Sequence, residues 1–275
     1  MRTLSIVTGI FLGWLALVVA QMIAGAAIPV RIAMPPNAFA WFLLTDLIIA
    51  AVLGCVALRS RQTGMKLGVV MVAIPLGIAV VNLIEGAFFL SQPGVGWGRI
   101  AMQTILGYLL VAPPWAVIFG RMRRPQIVKP LAEKADGTVW KFLVSDISYL
   151  VLYYTAGMVI FPFVKDFYAT QHIPPMRTIV ALQLLVRGPV FVFICISLMR
   201  MLQLPRRAGA LATGLAFTLL GSVALIAPNP FFPDSVRWVH FGEVLTSNFV
   251  FAAIVGWIWA APRVEEPVQT LRTAA

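Results

Sequence analysis

The sequence predicts an all-α membrane bundle of eight spanning helices, and three observations carry that reading. Apolar runs long enough to cross a bilayer recur along the whole length. Only 11% of the 275 residues are charged and 60% are hydrophobic, with a mean hydropathy of +0.92. A soluble domain carries about 25% charged residues. Lys and Arg fall in the connections between the runs, as topology determinants do. The runs are continuous and do not alternate in ten-residue pieces, so they read as helices and not as barrel strands.

The first run, residues 4–27, follows Arg2 and ends in Ala24-Gly25-Ala26, which gives it the outline of a signal peptide. It is longer than a signal h-region of about 7–15 residues and is read as a retained first span. Spans at 38–58, 66–91 and 100–120 complete a first membrane half, residues 1–120. The polar connection 121–142 carries Arg121, Arg123, Arg124, Lys129, Lys134 and Lys141 together with Pro and Gly. It suits a linker whose basic side chains attract anionic headgroups. Spans at 143–164, 178–199, 208–228 and 239–261 form a second half, residues 143–263, and a tail covers 264–275. Trp41, Trp97, Trp115, Trp140, Trp238 and Trp257 recur near span ends, as interfacial belts do.

Fifteen of the 21 Lys and Arg fall on one side of this topology and five on the other, with Arg187 inside a span. The asymmetry predicts a protein of the plasma or inner membrane with both termini and the loop 121–142 in the cytoplasm. The net charge of +11 is thereby accounted for by topology, and no nucleic-acid partner is expected. Cys55 and Cys195 are too few for a disulfide framework, and both fall near the cytoplasmic ends of their spans, where thiols stay reduced. No feature of the sequence sets an oligomeric state.

The halves share landmarks. Pro35-Pro36 matches Pro174-Pro175 at a spacing of 139, Cys55-Val-Ala-Leu58 matches Cys195-Ile-Ser-Leu198 at 140, and Trp97 matches Trp238 at 141. With four spans each, two such halves would be parallel repeats.

The candidate site residues are the polar groups inside the spans. The stretch from Trp238 to Trp257 carries His240, Glu243 and Ser247 on one helix face, with Asn248 about 100° further round. An ionisable side chain in hydrocarbon costs roughly 2.5–3.5 kcal/mol, so this face is expected to turn towards protein or water. The competing reading sets His240 and Glu243 at headgroup level, paired with Arg237 or Arg99. Asp46 in the second span and Arg187 in the sixth lie roughly 15 and 18 Å deep at 1.5 Å per residue. These opposite charges are expected to pair across the bundle. Asn82 and Glu85 sit at i, i+3 near the end of the third span, beside Gly86, and Gln103 lies early in the fourth. All of these groups fall in the outer half, where they predict a polar cleft open to the non-cytoplasmic side. Asp146, near the start of the fifth span, is the main exception. Pro113-Pro114 and Pro189 are expected to kink their spans.

The motifs exclude more than they select. There is no glycine-rich phosphate loop, no CxxC and no HExxH. His240-x-x-Glu243 is a single reversed copy of the spacing that di-iron bundles use twice, so neither a metal nor another cofactor is expected. Two histidines, His172 and His240, are poorly placed for haem. The first functional expectation is a transporter or permease-like protein for a small solute or ion. Asp46, Asn82, Glu85, Gln103, Arg187, His240, Glu243 and Asn248 would line its cleft, and Glu85 and Glu243 would carry protons or cations. The alternatives are a membrane-embedded enzyme acting on a lipid or quinone, with His240 and Glu243 as acid–base pair, and a non-catalytic membrane subunit whose charges only hold the bundle together.

Overall fold

A computed structural model describes residues 4–60, 62–90, 95–123 and 137–260. The chain is a bundle of eight helices long and apolar enough to span a membrane: α1 Ile6–Ala27, α2 Ala38–Arg59, α3 Gly64–Phe89, α4 Trp97–Met122, α5 Thr138–Tyr168, α6 Met176–Leu202, α7 Arg206–Leu225 and α8 Asp234–Trp259. No strand occurs among the described residues. This is the all-α multi-pass membrane fold expected from hydropathy. Most of the linker (124–136) and the tail 264–275 lie outside the described residues. We call the membrane face at which α1 begins the near face and the opposite one the far face.

Several helices outrun the apolar stretches that announce them. α5 has 31 residues, about 46 Å at 1.5 Å per residue, against a hydrocarbon core of about 30 Å. Hydropathy sees only the part in hydrocarbon, while backbone hydrogen bonding continues into the interface. α7 stops earlier than expected, in a tight 3₁₀ turn at Val223–Leu225. Pro228 and Pro230 follow it and cannot continue a helix.

The prolines inside spans behave differently from one another. α3 continues through Pro75 and α4 through Pro113 and Pro114. Only α6 changes its winding. Pro189 has no N–H to give the carbonyl of Leu185, and the turn before it widens into a π segment, Gln183–Arg187. There the amide of Gly188 bonds the carbonyl of Gln183, five residues back.

Lipid gives helices no hydrophobic reason to associate, so close packing of small residues carries the assembly. α1 lies on α4 at Gly9 and Gly13, which receive the side chains of Met122 and Phe119. The Trp115 indole donates to the carbonyl of Gly13 at 2.8 Å. α3 meets α4 at Gly68, where a Cβ would stand 2.6 Å from the carbonyl oxygen of Ala112. α7 meets α8 at Gly256, where a Cβ would stand 2.9 Å from the Cα of Ala210. α5 joins α8 through the Trp259 indole, which donates to Ser145 Oγ at 3.1 Å.

The principal packing pairs are α1–α4, α3–α4 and α1–α2 in the first four helices, and α5–α8, α7–α8 and α6–α7 in the last four. The two groups meet through α2, α3, α6 and α7. At that junction Gly77 of α3 accepts Ile194 and Val190 of α6. Phe191, Phe217 and Phe251 are fully enclosed, while Val159, Phe163, Leu185 and Phe193 point outwards, as a lipid-facing surface requires.

Gly68→Val should therefore lower the thermal unfolding midpoint in detergent, because the atom in the way is backbone and cannot swing aside. The expected cost is about 1–3 kcal/mol. Gly120→Ala meets nothing within 4 Å and should leave the midpoint unchanged.

Candidate functional site

Arg187 is the centre of the polar interior. The π segment holds Gln183 and Arg187 four residues apart, both buried and both turned to α3. Arg187 forms an ion pair with Glu85 and donates through Nη2 to Asn82 Oδ1 at 3.0 Å. Gln183 donates to the other oxygen of Glu85 at 3.3 Å. The i, i+3 pair Asn82 and Glu85 thus receives one guanidinium and one amide from the facing helix. Aromatic rings close the other sides, with Phe191, Tyr149 and Tyr153 at 5.2, 5.9 and 6.0 Å from the guanidinium carbon. Ring faces are a favourable boundary for a cation that water does not reach.

The second cluster joins α5 to α8 near the far face. His240 Nδ1 lies 2.8 Å from Glu243 Oε2, and Nε2 lies 2.9 Å from the Tyr168 hydroxyl. The carboxylate accepts from Nδ1–H, which leaves Nε2 to the Tyr168 hydroxyl. Phe232 packs against the imidazole at 5.3 Å between centroids. The two clusters are not isolated from each other. Glu85 and Glu243 both act electrostatically on Arg187, Tyr149 and Tyr168. The side chains of Glu85, His240 and Glu243 keep 20, 14 and 12% of their exposure, against 9% for Arg187.

Three of the expected site residues lie elsewhere. Asp46 does not pair with Arg187. It faces α1 and accepts from Gln21 Nε2 at 3.1 Å, with Tyr108 of α4 in electrostatic range. Matching depth brought the two charges to one level, but Asp46 turns into its own half while Arg187 turns to α3. Gln103 lies against Gly25 of α1, 3.0 Å from where a Cβ would stand. Asn248 is buried against Gly221 of α7. Of the expected set, Asn82, Glu85 and Arg187 meet in one cluster and His240 and Glu243 in a second.

The expected pairing of His240 and Glu243 with Arg237 does not form, because the two pair with each other. Arg237 is tied to Asp234 and to the carbonyls of Leu225 and Ile226, where it closes the end of α7. Ser247 donates to the backbone carbonyl of Glu243 at 2.8 Å.

Sequence reasoning missed Gln183, Tyr149, Tyr153 and Tyr168. Gln183 and Arg187 at i, i+4 and Tyr149 and Tyr153 at i, i+4 were available as polar and amphipathic pairs in apolar spans. No sequence signal placed Tyr168 beside His240. Both ring nitrogens of His240 are engaged within the triad, and no group of three or more His, Cys, Asp or Glu placed to hold a metal occurs among the described residues.

A depression of about 360 Å³, lined by Phe161, Lys165, Asp166, Tyr168, Ala169 and Ile173, borders the triad on the α5 side. A groove of about 400 Å³ between α1 and α4 is lined by apolar side chains such as Leu15, Val19 and Leu110 and lies on other helices than the charged clusters. Comparison of the chain with family models, with curated proteins and with solved structures finds no match.

Arg187→Met should leave the Glu85 carboxylate buried without its counter-ion and destabilise the bundle by about 3–5 kcal/mol. Replacing both, Arg187→Met with Glu85→Leu, should recover most of that loss. A double-mutant cycle on unfolding in mixed detergent micelles measures both effects.

Proposed function

We propose that the protein is a transporter or permease for a small solute or ion of the plasma or inner membrane, with Glu85 and Glu243 as its proton or cation carriers. The observation that supports this is the meeting of α3, α5, α6 and α8 around two acids, one arginine and one imidazole. Glu85 and Glu243 lie within electrostatic range of the same Arg187. A bundle pinned by a single ion pair would need one carboxylate. Here a second, with its own histidine and tyrosine, faces the same cation.

Two features suit moving charge rather than storing it. The carboxylates lie at the partly exposed margin and the guanidinium lies deeper. A π segment interrupts α6 at the site itself, and such bulges recur at functional positions. In the orientation that the Lys and Arg distribution supports, the far face is non-cytoplasmic and both termini are cytoplasmic. We also take the halves as parallel repeats. The packing supports this, because α1–α4, α3–α4 and α2–α7 become α5–α8, α7–α8 and α6–α3 when helices four apart are exchanged.

One observation favours a second reading. An imidazole held between a carboxylate and a phenol, as in Tyr168–His240–Glu243, is arranged for general acid–base chemistry. On that reading a lipid or quinone would approach from the α5 side, where the depression beside Tyr168 lies.

Proton flux into proteoliposomes separates the two. With a potassium gradient and valinomycin setting the potential and an entrapped pH dye as probe, the wild-type protein should acidify the lumen well above protein-free vesicles. Glu243→Gln should reduce that flux tenfold or more while retaining wild-type elution and melting, and Glu85→Gln should reduce it as much with the lowered melting that an unpaired Arg187 brings. Wild-type vesicles no faster than empty ones would sink the transport reading.

A further inference from the structure

Three buried polar atoms without a hydrogen-bonding partner surround the π segment: Arg187 Nε, Gln183 Oε1 and Asp146 Oδ1. Their residues keep 8, 0 and 7% of their exposure. Buried polar atoms are almost always satisfied, so one donor and one acceptor left over on a single turn of α6, with an acceptor from α5 beside them, point to a purpose.

Asp146 reaches this turn from α5. Its Oδ1 presses on the Cα of Gly188, where any Cβ would overlap it, and the carbonyl of Gln183 crowds the same spot at 2.8 Å. Only glycine lets the carboxyl in. Asp146 lies eight residues into α5, about 12 Å along the helix from its near-face end. Its charge acts on Tyr149, which the charges of the far cluster also reach. Tyr149 and Tyr153 follow Asp146 at i+3 and i+7, on the same face of α5. Tyr149 lies within electrostatic range of Asp146 on one side and of Arg187, Glu85 and Glu243 on the other.

We propose that Asp146 is the near-side proton carrier of this protein, taking protons from the Glu85–Arg187 cluster through the Tyr153 and Tyr149 hydroxyls and handing them to the near face. The proposal rests on the transport reading and extends it across the membrane. The transfer is a relay: each hydroxyl accepts one proton and releases one. The carboxylate of Asp146 gains a proton on its unpartnered oxygen and later loses it to water at the near face, with no other bond changed. A proton on Oδ1 converts that oxygen from an unmatched acceptor into a donor beside the crowded carbonyl of Gln183.

The dye-loaded vesicles described above test this with three proteins beside the wild type. Asp146→Asn should reduce proton flux tenfold or more with an unchanged melting temperature, Asp146→Glu should restore at least a third of it, and Tyr149→Phe should fall between. Asp146→Asn conducting like the wild type, while Glu85→Gln does not, would overturn the near-side carrier and leave the transport reading standing. Wild-type protein no faster than empty vesicles overturns both. Should Asp146→Asn fail to assemble, infrared spectra of the wild type and Asp146→Glu in H₂O and D₂O decide. A protonated carboxyl band that differs between them supports the carrier, and identical carboxyl regions overturn it.

Discussion

An arginine roughly 18 Å into a spanning helix must find its counter-charge inside the protein, and much of this structure can be traced from how Arg187 does so. Its partners Glu85 and Asn82 belong to α3, so the interaction crosses the boundary between the first four helices and the last four. Removing one member would strand a charge in a medium that penalises it by several kcal/mol. The pair thus resists any drift between α3 and α6. Close packing at Gly77 against Val190 and Ile194 holds the same two helices together further towards the near face. One contact is electrostatic and specific, the other is steric and short-ranged, and they share an interface.

The π segment is the local price of that arrangement. Pro189 withdraws a backbone donor from α6 just below Arg187, and the helix responds by widening the turn that carries Gln183 and Arg187. Both side chains then reach α3. Gly188, the residue after the wide turn, has no side chain, and this admits Asp146 from α5. Proline, glycine and arginine within three positions therefore determine which helices can approach, which groups meet and which polar atoms are left over. Pro113 and Pro114 in α4 have no comparable effect, because α4 carries its helix through them.

Tyrosines set the character of the interior between the charges. Tyr149 touches Phe191 and Phe251 edge-on at 5.3 and 5.1 Å, so its ring belongs to the apolar core while it lies in the field of four ionisable residues. Tyr168 does the same nearer the far face, between Phe167 and His240. A ring that packs like phenylalanine and ends in a hydroxyl can line a dry helix interface without leaving the polar groups isolated. α5 is the most lipid-exposed of the eight helices, and the inward tyrosines of its narrow buried side supply what it contributes to the site.

Hydropathy alone determined the membrane class and the number of spans, because a bilayer imposes one length and one polarity on every helix that crosses it. The candidate residues Asn82, Glu85, Arg187, His240 and Glu243 were legible for the same reason: a charged or strongly polar group in an apolar run stands out whatever its partner. Partnership was not legible. Asp46 and Arg187 have opposite charge and similar depth by residue count, but depth is one coordinate of three, and rotation about the helix axis sends Asp46 to Gln21 and Arg187 to Glu85. Gln103 and Asn248 were read as cleft residues on polarity alone and are spent on helix packing at Gly25 and Gly221. The widened turn at Gln183–Arg187, the meeting of Tyr168 with His240 across 72 residues and the seat of Asp146 on Gly188 were decided only by tertiary structure. Each depends on which face of one helix another helix covers, and that is settled by close packing of side chains distant in sequence.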